Sequence, residues 1–144
     1  MSDRIFKNLN CGEDAKATVF KGIKKLTKAV SSTLGASGKC VILEDGSGKP
    51  VITKDGVTVA KSVSLLDATE NLAVRIMREA SERTATQAGD GTTTAIVLAE
   101  ALVKEAYKQL NEGKHNKTKV LRDIVRETEK IVSELKKKSR KVNE

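Results

Sequence analysis

Apolar residues recur at helical spacing through four stretches of the chain and cluster in two short ones between the first and second helices. From Asn10 to Ser32, Ala15, Val19, Ile23, Leu26 and Val30 share one helical face, and Lys16, Lys24, Lys25 and Lys28 occupy the others. Asn10 with Glu13 three residues on has the form of a capping box. A second helix is predicted from Asp67 to Gln87, with Asp67 and Glu70 as its capping box and Leu72, Ala73, Ile76, Met77, Ala80 and Thr84 as its buried stripe. The third runs from Thr92 to Glu112. Ala95, Leu98, Ala99, Leu102, Ala106 and Leu110 mark its inner face, and Ile96, Val97 and Val103 widen it, so a central position is expected. The fourth runs from Asn116 to Lys138, with Leu121, Ile124, Val125, Thr128, Ile131, Val132 and Leu135 inward.

The two short runs, Lys39 to Leu43 and Pro50 to Thr53, are rich in β-branched residues and flank the polar turn Glu44-Asp45-Gly46-Ser47-Gly48-Lys49. They predict a hairpin. Two strands alone are marginal in water, so the hairpin needs a partner, and another subunit would serve. Val57 to Val63 reads equally as a strand or a short helix. Residues 1–9, with the apolar pair Ile5-Phe6, read as a frayed end or an edge strand. The fold class is therefore mainly α with one inserted β-hairpin.

Length adds that 144 residues suit one domain. The aromatic residues are Phe6, Phe20 and Tyr107, so the core must be built from Ala, Val, Ile and Leu. The net charge of +8 favours anionic partners, nucleotide phosphates or nucleic acid among them. Cys11 and Cys40 lack metal-ligand spacing, which argues against zinc. No run approaches the roughly 20 apolar residues of a membrane span. No leader is evident, and a cytoplasmic location with reduced thiols is expected. His115, the one histidine, has no orienting partner nearby in sequence, so no nucleophile–histidine triad can be assembled.

Three loops carry candidate chemistry. Gly89-Asp90-Gly91-Thr92-Thr93-Thr94 runs straight into a helix. Glycines allow close backbone approach, and the first helical N–H groups are free for an anion. A carboxylate beside phosphate makes sense with a cation between them, which makes Asp90 a candidate Mg²⁺ ligand. An ordinary capped helix start would look the same on spacing alone. Thr33 to Lys39 is a glycine-containing loop but not a P-loop, because Thr33 and Cys40 stand where that motif needs Gly and Ser or Thr. Thr53-Lys54-Asp55-Gly56 sets a cation and a carboxylate at a strand end, as a plain Asp-Gly turn also would.

Together, in this order and spacing, Thr33-Leu34-Gly35, Thr53-Lys54-Asp55-Gly56-Val57 and Gly89 to Thr94 followed by Ala95 resemble the group I chaperonins, the bacterial type, from about residue 5 to residue 135. The resemblance implies that residues 1–144 form the N-terminal segment of a helical equatorial, ATP-binding domain. It implies an ATP-dependent subunit that assists protein folding, with Mg-ATP bound and hydrolysed in that domain. Thr33, Leu34, Gly35, Ala36, Lys54, Asp90, Gly91, Thr92, Thr93 and Thr94 are the implied ATP-binding residues. Asp90 is the implied Mg²⁺ ligand, and Thr33, Lys54 and Thr93 mark a possible K⁺ site. Asp55 is implied as a secondary catalytic carboxylate near the attacking water. The hairpin over 39–53 would pair with an identical neighbour in a ring, by resemblance heptameric.

The family usually has proline at position 36, where this chain has alanine, and a polar residue in place of Cys40. Its subunits are also several times longer. The intermediate domain with the principal general base, the apical domain for unfolded clients and a lid co-chaperonin, and the second equatorial half have no counterpart in these 144 residues. The expectation is an ATPase in the full-length context and a largely inactive chain without the rest. A competing expectation is a small basic helical protein that binds nucleic acid, resting on net charge and the Lys136 to Lys141 run. It lacks aromatics for base stacking and leaves Asp90 unexplained.

Overall fold

The computed structural model describes residues 9–111 and 116–140. Seven elements follow in order: α1 (Gly12–Ser31), β1 (Val41–Glu44), β2 (Pro50–Thr53), α2 (Gly56–Ser62), α3 (Ala68–Ala88), α4 (Thr92–Asn111) and α5 (Lys117–Lys138). The four long helices and the hairpin form where hydrophobic spacing places them. The ambiguous 57–63 stretch is the helix α2, because Asp55 caps its start and Val59 and Ala60 face the core. Ile5, Phe6, Gly113 and His115 lie outside the described residues. No described helix is long and apolar enough to cross a membrane.

The chain divides into two compact units, residues 1–102 and 103–144. In the first, α1 packs chiefly on α3, α2 packs on both, and β1 packs on α2. Ile23, Leu26 and Val30 from α1, Val59 and Ala60 from α2, Ala73, Val74 and Met77 from α3, and Ile96 from α4 make the core. Of the stripe expected on α1, Ile23, Leu26 and Val30 are buried, and Ala15 and Val19 are half-buried. Gly22 is what lets α1 come close: a Cβ there would overlap the backbone carbonyl of Glu70. At the same crossing Lys25 Nζ donates to Glu70 Oε2 at 2.5 Å.

On α3 the expected stripe is buried only in part, at Ala73 and Met77, and the close approach at Gly22 rotates the buried face toward Glu70 and Val74. Glu70, Ala73, Val74, Met77 and Ser81 are buried, whereas Leu72 and Ile76 are exposed. The helix has apolar side chains on two adjoining faces, and periodicity centres between them. The glycine on α1 selects the face that carries Glu70 and Val74. Half of the expected capping box forms: Asp67 Oδ1 accepts from the Glu70 N–H at 2.8 Å, while the Glu70 carboxylate accepts from Lys25 rather than reaching back to the Asp67 N–H. The box predicted on α1 does not form. Cys11 is the N-cap residue with no side-chain cap, and Asn10 Nδ2 donates instead to Thr69 Oγ1 at 2.6 Å.

On α4 only Thr92 and Ile96 are buried, and Leu98 and Leu102 are exposed, so the helix is not central among the described residues. Its burial is concentrated in its first turns, where the core lies. In the second unit α5 starts at the cap Asn116, whose side chain accepts from the Thr118 and Lys119 N–H groups. Its apolar stripe forms, yet no α5 residue is buried, and Leu121, Val125, Ile131, Val132 and Leu135 are exposed. Spacing creates the stripe, but covering it takes a second surface, which the sequence pattern does not specify.

The hairpin is antiparallel, with Val41 opposite Thr53, Ile42 opposite Ile52 and Leu43 opposite Val51. Val41 and Leu43 pack against the core, and the Ile42–Ile52 pair faces outward, 72% and 69% exposed. The turn is held by Asp45 Oδ1, which accepts from the N–H groups of Ser47 and Lys49 and from Ser47 Oγ.

A cleft where three loops meet

The first wall of the site is the connection from α3 to α4. Gly89 ends α3 in the left-handed region, with φ of 75°, and Gly91 opens α4 with φ of 89°. Side chains are disfavoured at both positions, which is why glycines bracket Asp90. The Gly91 N–H donates to Asp90 Oδ1 at 2.6 Å, and Ala95 N donates to Gly91 O at 2.8 Å to start the helix. Three residues thus join a helix C-terminus, partially negative, to a helix N-terminus, partially positive. The first suits a cation and the second an anion. Asp90 adds a full negative charge on the cation side.

The second wall is the turn after α1. The Thr33 N–H and Thr33 Oγ1 both donate to Val30 O, at 3.1 and 2.7 Å. The Thr33 hydroxyl therefore retains acceptor capacity only. Gly35 adopts φ of 76°, and the turn closes through Gly38 N to Gly35 O and Lys39 N to Ser32 O.

The third wall is the start of α2. Asp55 Oδ1 accepts from the Val57 N–H at 3.1 Å, and Oδ2 accepts from the Thr58 N–H and Thr58 Oγ1 at 2.9 and 2.5 Å. The Thr58 hydroxyl bond is the main cause that lowers the Asp55 pKa below the usual 3.8, with backbone N–H bonds assisting and desolvation opposing. Asp55 is thus a carboxylate at neutral pH, and a weak base. Because its folded pKa is depressed, its capping contribution is complete above about pH 4 and is lost as pH falls through the lowered value. Replacing Asp55 with alanine is expected to cost about 1 kcal/mol at pH 7, as for other N-caps, and Asp55→Asn less than half of that. Urea titrations at pH 7 and pH 3 check this: the gap between wild type and Asp55→Ala should narrow at the lower pH.

The walls enclose a cleft of about 290 Å³ lined by Thr33, Leu34, Gly35, Asp55, Val57, Ala85 and residues 89 to 94. Nine of the sequence-predicted site residues meet here: Thr33, Leu34, Gly35, Asp55, Asp90, Gly91, Thr92, Thr93 and Thr94. Ala36 and Lys54 do not line it. Val57, Ala85 and Gly89 do, although sequence reasoning did not select them. Gly89 and Val57 had a signal, being the first and last residues of two of the motifs; Ala85 had none. The lining includes no lysine or arginine, and its formal charges are the two carboxylates. No group of three or more His, Cys, Asp or Glu side chains that would hold a metal alone occurs among the described residues.

The sequence model of the TCP-1/cpn60 chaperonin family matches residues 26–144. The chain belongs to the TCP-1/cpn60 chaperonin family. The chaperonin gp146 from the bacteriophage EL 2 (Pseudomonas aeruginosa), crystallised in presence of ATP-BeFx, is 37% identical over 68% of this chain and 18% of its own, with a TM-score of 0.63. A second crystal form of it gives 38% identity over 63% and 16%, with a TM-score of 0.59. A group III chaperonin in the open state is 32% identical over 90% of this chain and 25% of its own, with a TM-score of 0.76. The chain thus spans a quarter or less of these chaperonins' lengths. The helical fold with one hairpin fits a chaperonin equatorial domain.

Proposed function

We propose that the chain binds Mg-ATP in this cleft, as the nucleotide-binding segment of a chaperonin subunit that assists protein folding within a ring. The observation that carries the reading is the charge pattern. Two carboxylates and no cation share a cleft with a helix N-terminus. Bare polyphosphate would be repelled by Asp55 and Asp90, whereas polyphosphate carrying magnesium would not. Magnesium, when bound, would neutralise phosphate charge and polarise the terminal phosphoryl group. Asp90 would hold it, with phosphate oxygens as further ligands, since magnesium is commonly held by one or two carboxylates plus substrate phosphates. The Gly91 to Thr94 segment would hold phosphates, and Thr33 to Ala36 would wrap the nucleotide. Of the implied potassium residues Thr33 and Thr93 line the cleft and Lys54 does not, so the proposed potassium side rests on the two threonines. Thr33 suits a cation, since its hydroxyl already donates to Val30. That the phage relative was crystallised in presence of ATP-BeFx supports the nucleotide reading.

The hairpin, with an unpaired strand edge and the outward Ile42–Ile52 pair, is the proposed contact to an identical subunit. Heptameric symmetry and the group I type rest on the motif resemblance. Residues 1–144 are read as the N-terminal equatorial segment, with client and lid binding assigned to other domains of the family.

Turnover by this chain should be slow. Asp55 is a weak base, Asp90 is assigned to the metal, and no third titratable side chain lines the cleft. A positioned general base typically supplies about 10²–10⁴ in rate, so hydrolysis is expected about a hundredfold or more below that of an intact chaperonin. Titration calorimetry with ATP should show binding in Mg²⁺ and none in a chelator, alongside a phosphate-release assay. Magnesium-independent binding would overturn the role of Asp90, and turnover matching an intact chaperonin would overturn the missing-base argument.

A further inference from the structure

Gly56 is buried at the start of α2, between the cleft walls. Its φ is not in the left-handed region, so alanine could take the same backbone. Space is what forbids a side chain. A Cβ at position 56 would overlap Thr93 Oγ1, lie 3.2 Å from Thr93 Cβ, and lie 3.5 Å from Thr33 Oγ1. One missing methyl therefore lets hydroxyls from two separate loops converge on a third. Asp55, the preceding residue, is held by its own capping bonds and cannot retreat without breaking them. Thr93 lies in the first turn of α4, three residues before Ile96, which is fully buried in the core. Relief must come from the Thr93 side chain or from the whole N-terminal turn of α4.

We propose that Gly56 is a positioning residue for the phosphate-binding site: it fixes the place of the Thr93 hydroxyl, and through it the approach of the α4 N-terminus to the Thr33 turn. It touches no ligand itself. This rests on the nucleotide reading above.

The test is a double-mutant cycle of Gly56→Ala and Thr93→Ala in the full chain, read by calorimetric titration with Mg-ADP and by thermal unfolding. Gly56→Ala is expected to weaken Mg-ADP binding about tenfold or more, the scale of one misplaced hydrogen bond to a charged group. It should also lower the melting temperature. Thr93→Ala weakens binding and removes the overlapping Oγ1, leaving at position 56 only the 3.2 Å approach to the Thr93 Cβ, which a shift of a few tenths of an ångström relieves. Adding Gly56→Ala to it should then cost little further in affinity or melting temperature, because the group that clashed is gone. Thr93→Ser keeps the hydroxyl and so should leave the full effect of Gly56→Ala in place. Wild-type affinity in Gly56→Ala would overturn the proposal while leaving nucleotide binding intact. So would equal losses from Gly56→Ala in the wild-type and Thr93→Ala backgrounds, which would mean that it does not act through Thr93. Absence of Mg-ADP binding by the wild type would instead overturn the nucleotide reading, and the positioning role with it.

Discussion

Replacing Asp90 with asparagine is expected to weaken Mg-ATP binding by about ten- to a hundredfold while barely changing stability. The structural part of Asp90 is one acceptor bond, from the Gly91 N–H to Oδ1, and asparagine retains an oxygen for it. The position is exposed, so the change in folding free energy should stay within about 0.5 kcal/mol. What asparagine removes is the negative charge on the cation side of the cleft. An interaction with a charged partner is worth about 1.5–3 kcal/mol, which is the source of the expected factor. The signature is the metal dependence. Wild-type binding should vanish on chelation, whereas the small residual binding of Asp90→Asn should respond much less to Mg²⁺. Undiminished Mg-ATP affinity in Asp90→Asn would remove Asp90 from the site. The other carboxylate serves as the control: Asp55→Asn drops a charge from the same cleft, so a generic charge effect would weaken both variants' dependence on Mg²⁺ equally.

The largest effect on stability is expected from Leu26→Ala. Leu26 is fully buried in the α1–α3 layer and belongs to a core that, among the described residues, comprises nine buried apolar side chains from four helices. Truncation removes buried methyl groups and leaves a cavity, at a cost of about 2–5 kcal/mol. Total stabilities of about 5–15 kcal/mol make that a large fraction. For a unit of this size the melting temperature should fall by about 10 °C or more. Leu72→Ala provides the comparison, since Leu72 is 54% exposed on α3 and its truncation should cost about 1 kcal/mol or less. Equal losses from the two variants, measured by thermal unfolding, would mean that the face assigned to the core on α3 is the wrong one.

Much of this architecture was legible in the residues alone. The four long helices follow from 3.6-residue spacing, and the start of α3 follows from cap chemistry at Asp67. The hairpin follows from two β-branched runs around a polar turn. The groups that the Gly89–Thr94 stretch offers at a helix start were legible too, because glycines, a carboxylate and hydroxyls are local properties. Helical faces were less so. On α3 two apolar faces adjoin, and the close approach at Gly22 chose between them. On α4 and α5 periodicity marked stripes, and burial did not follow, because burial depends on a second surface. The ambiguity at 57–63 was resolved by Asp55, whose side chain caps α2.

The site divides in the same way. Its ingredients lie in three loops separated by about twenty to forty residues, each of which, taken alone, passes for an ordinary turn or cap. The sequence by itself determined which groups are available: the glycines, the two aspartates, the threonines and the absence of a P-loop. Only the tertiary structure decided that nine of them share one cleft while Ala36 and Lys54 do not line it. It also decided that the Thr33 hydroxyl donates to Val30 rather than outward, and that Gly56 must lack a side chain. The physical reason is that helix and turn formation depend on neighbours within a few residues of one another. Convergence of loops, available lone pairs and room for a methyl group depend on atoms that only packing brings together.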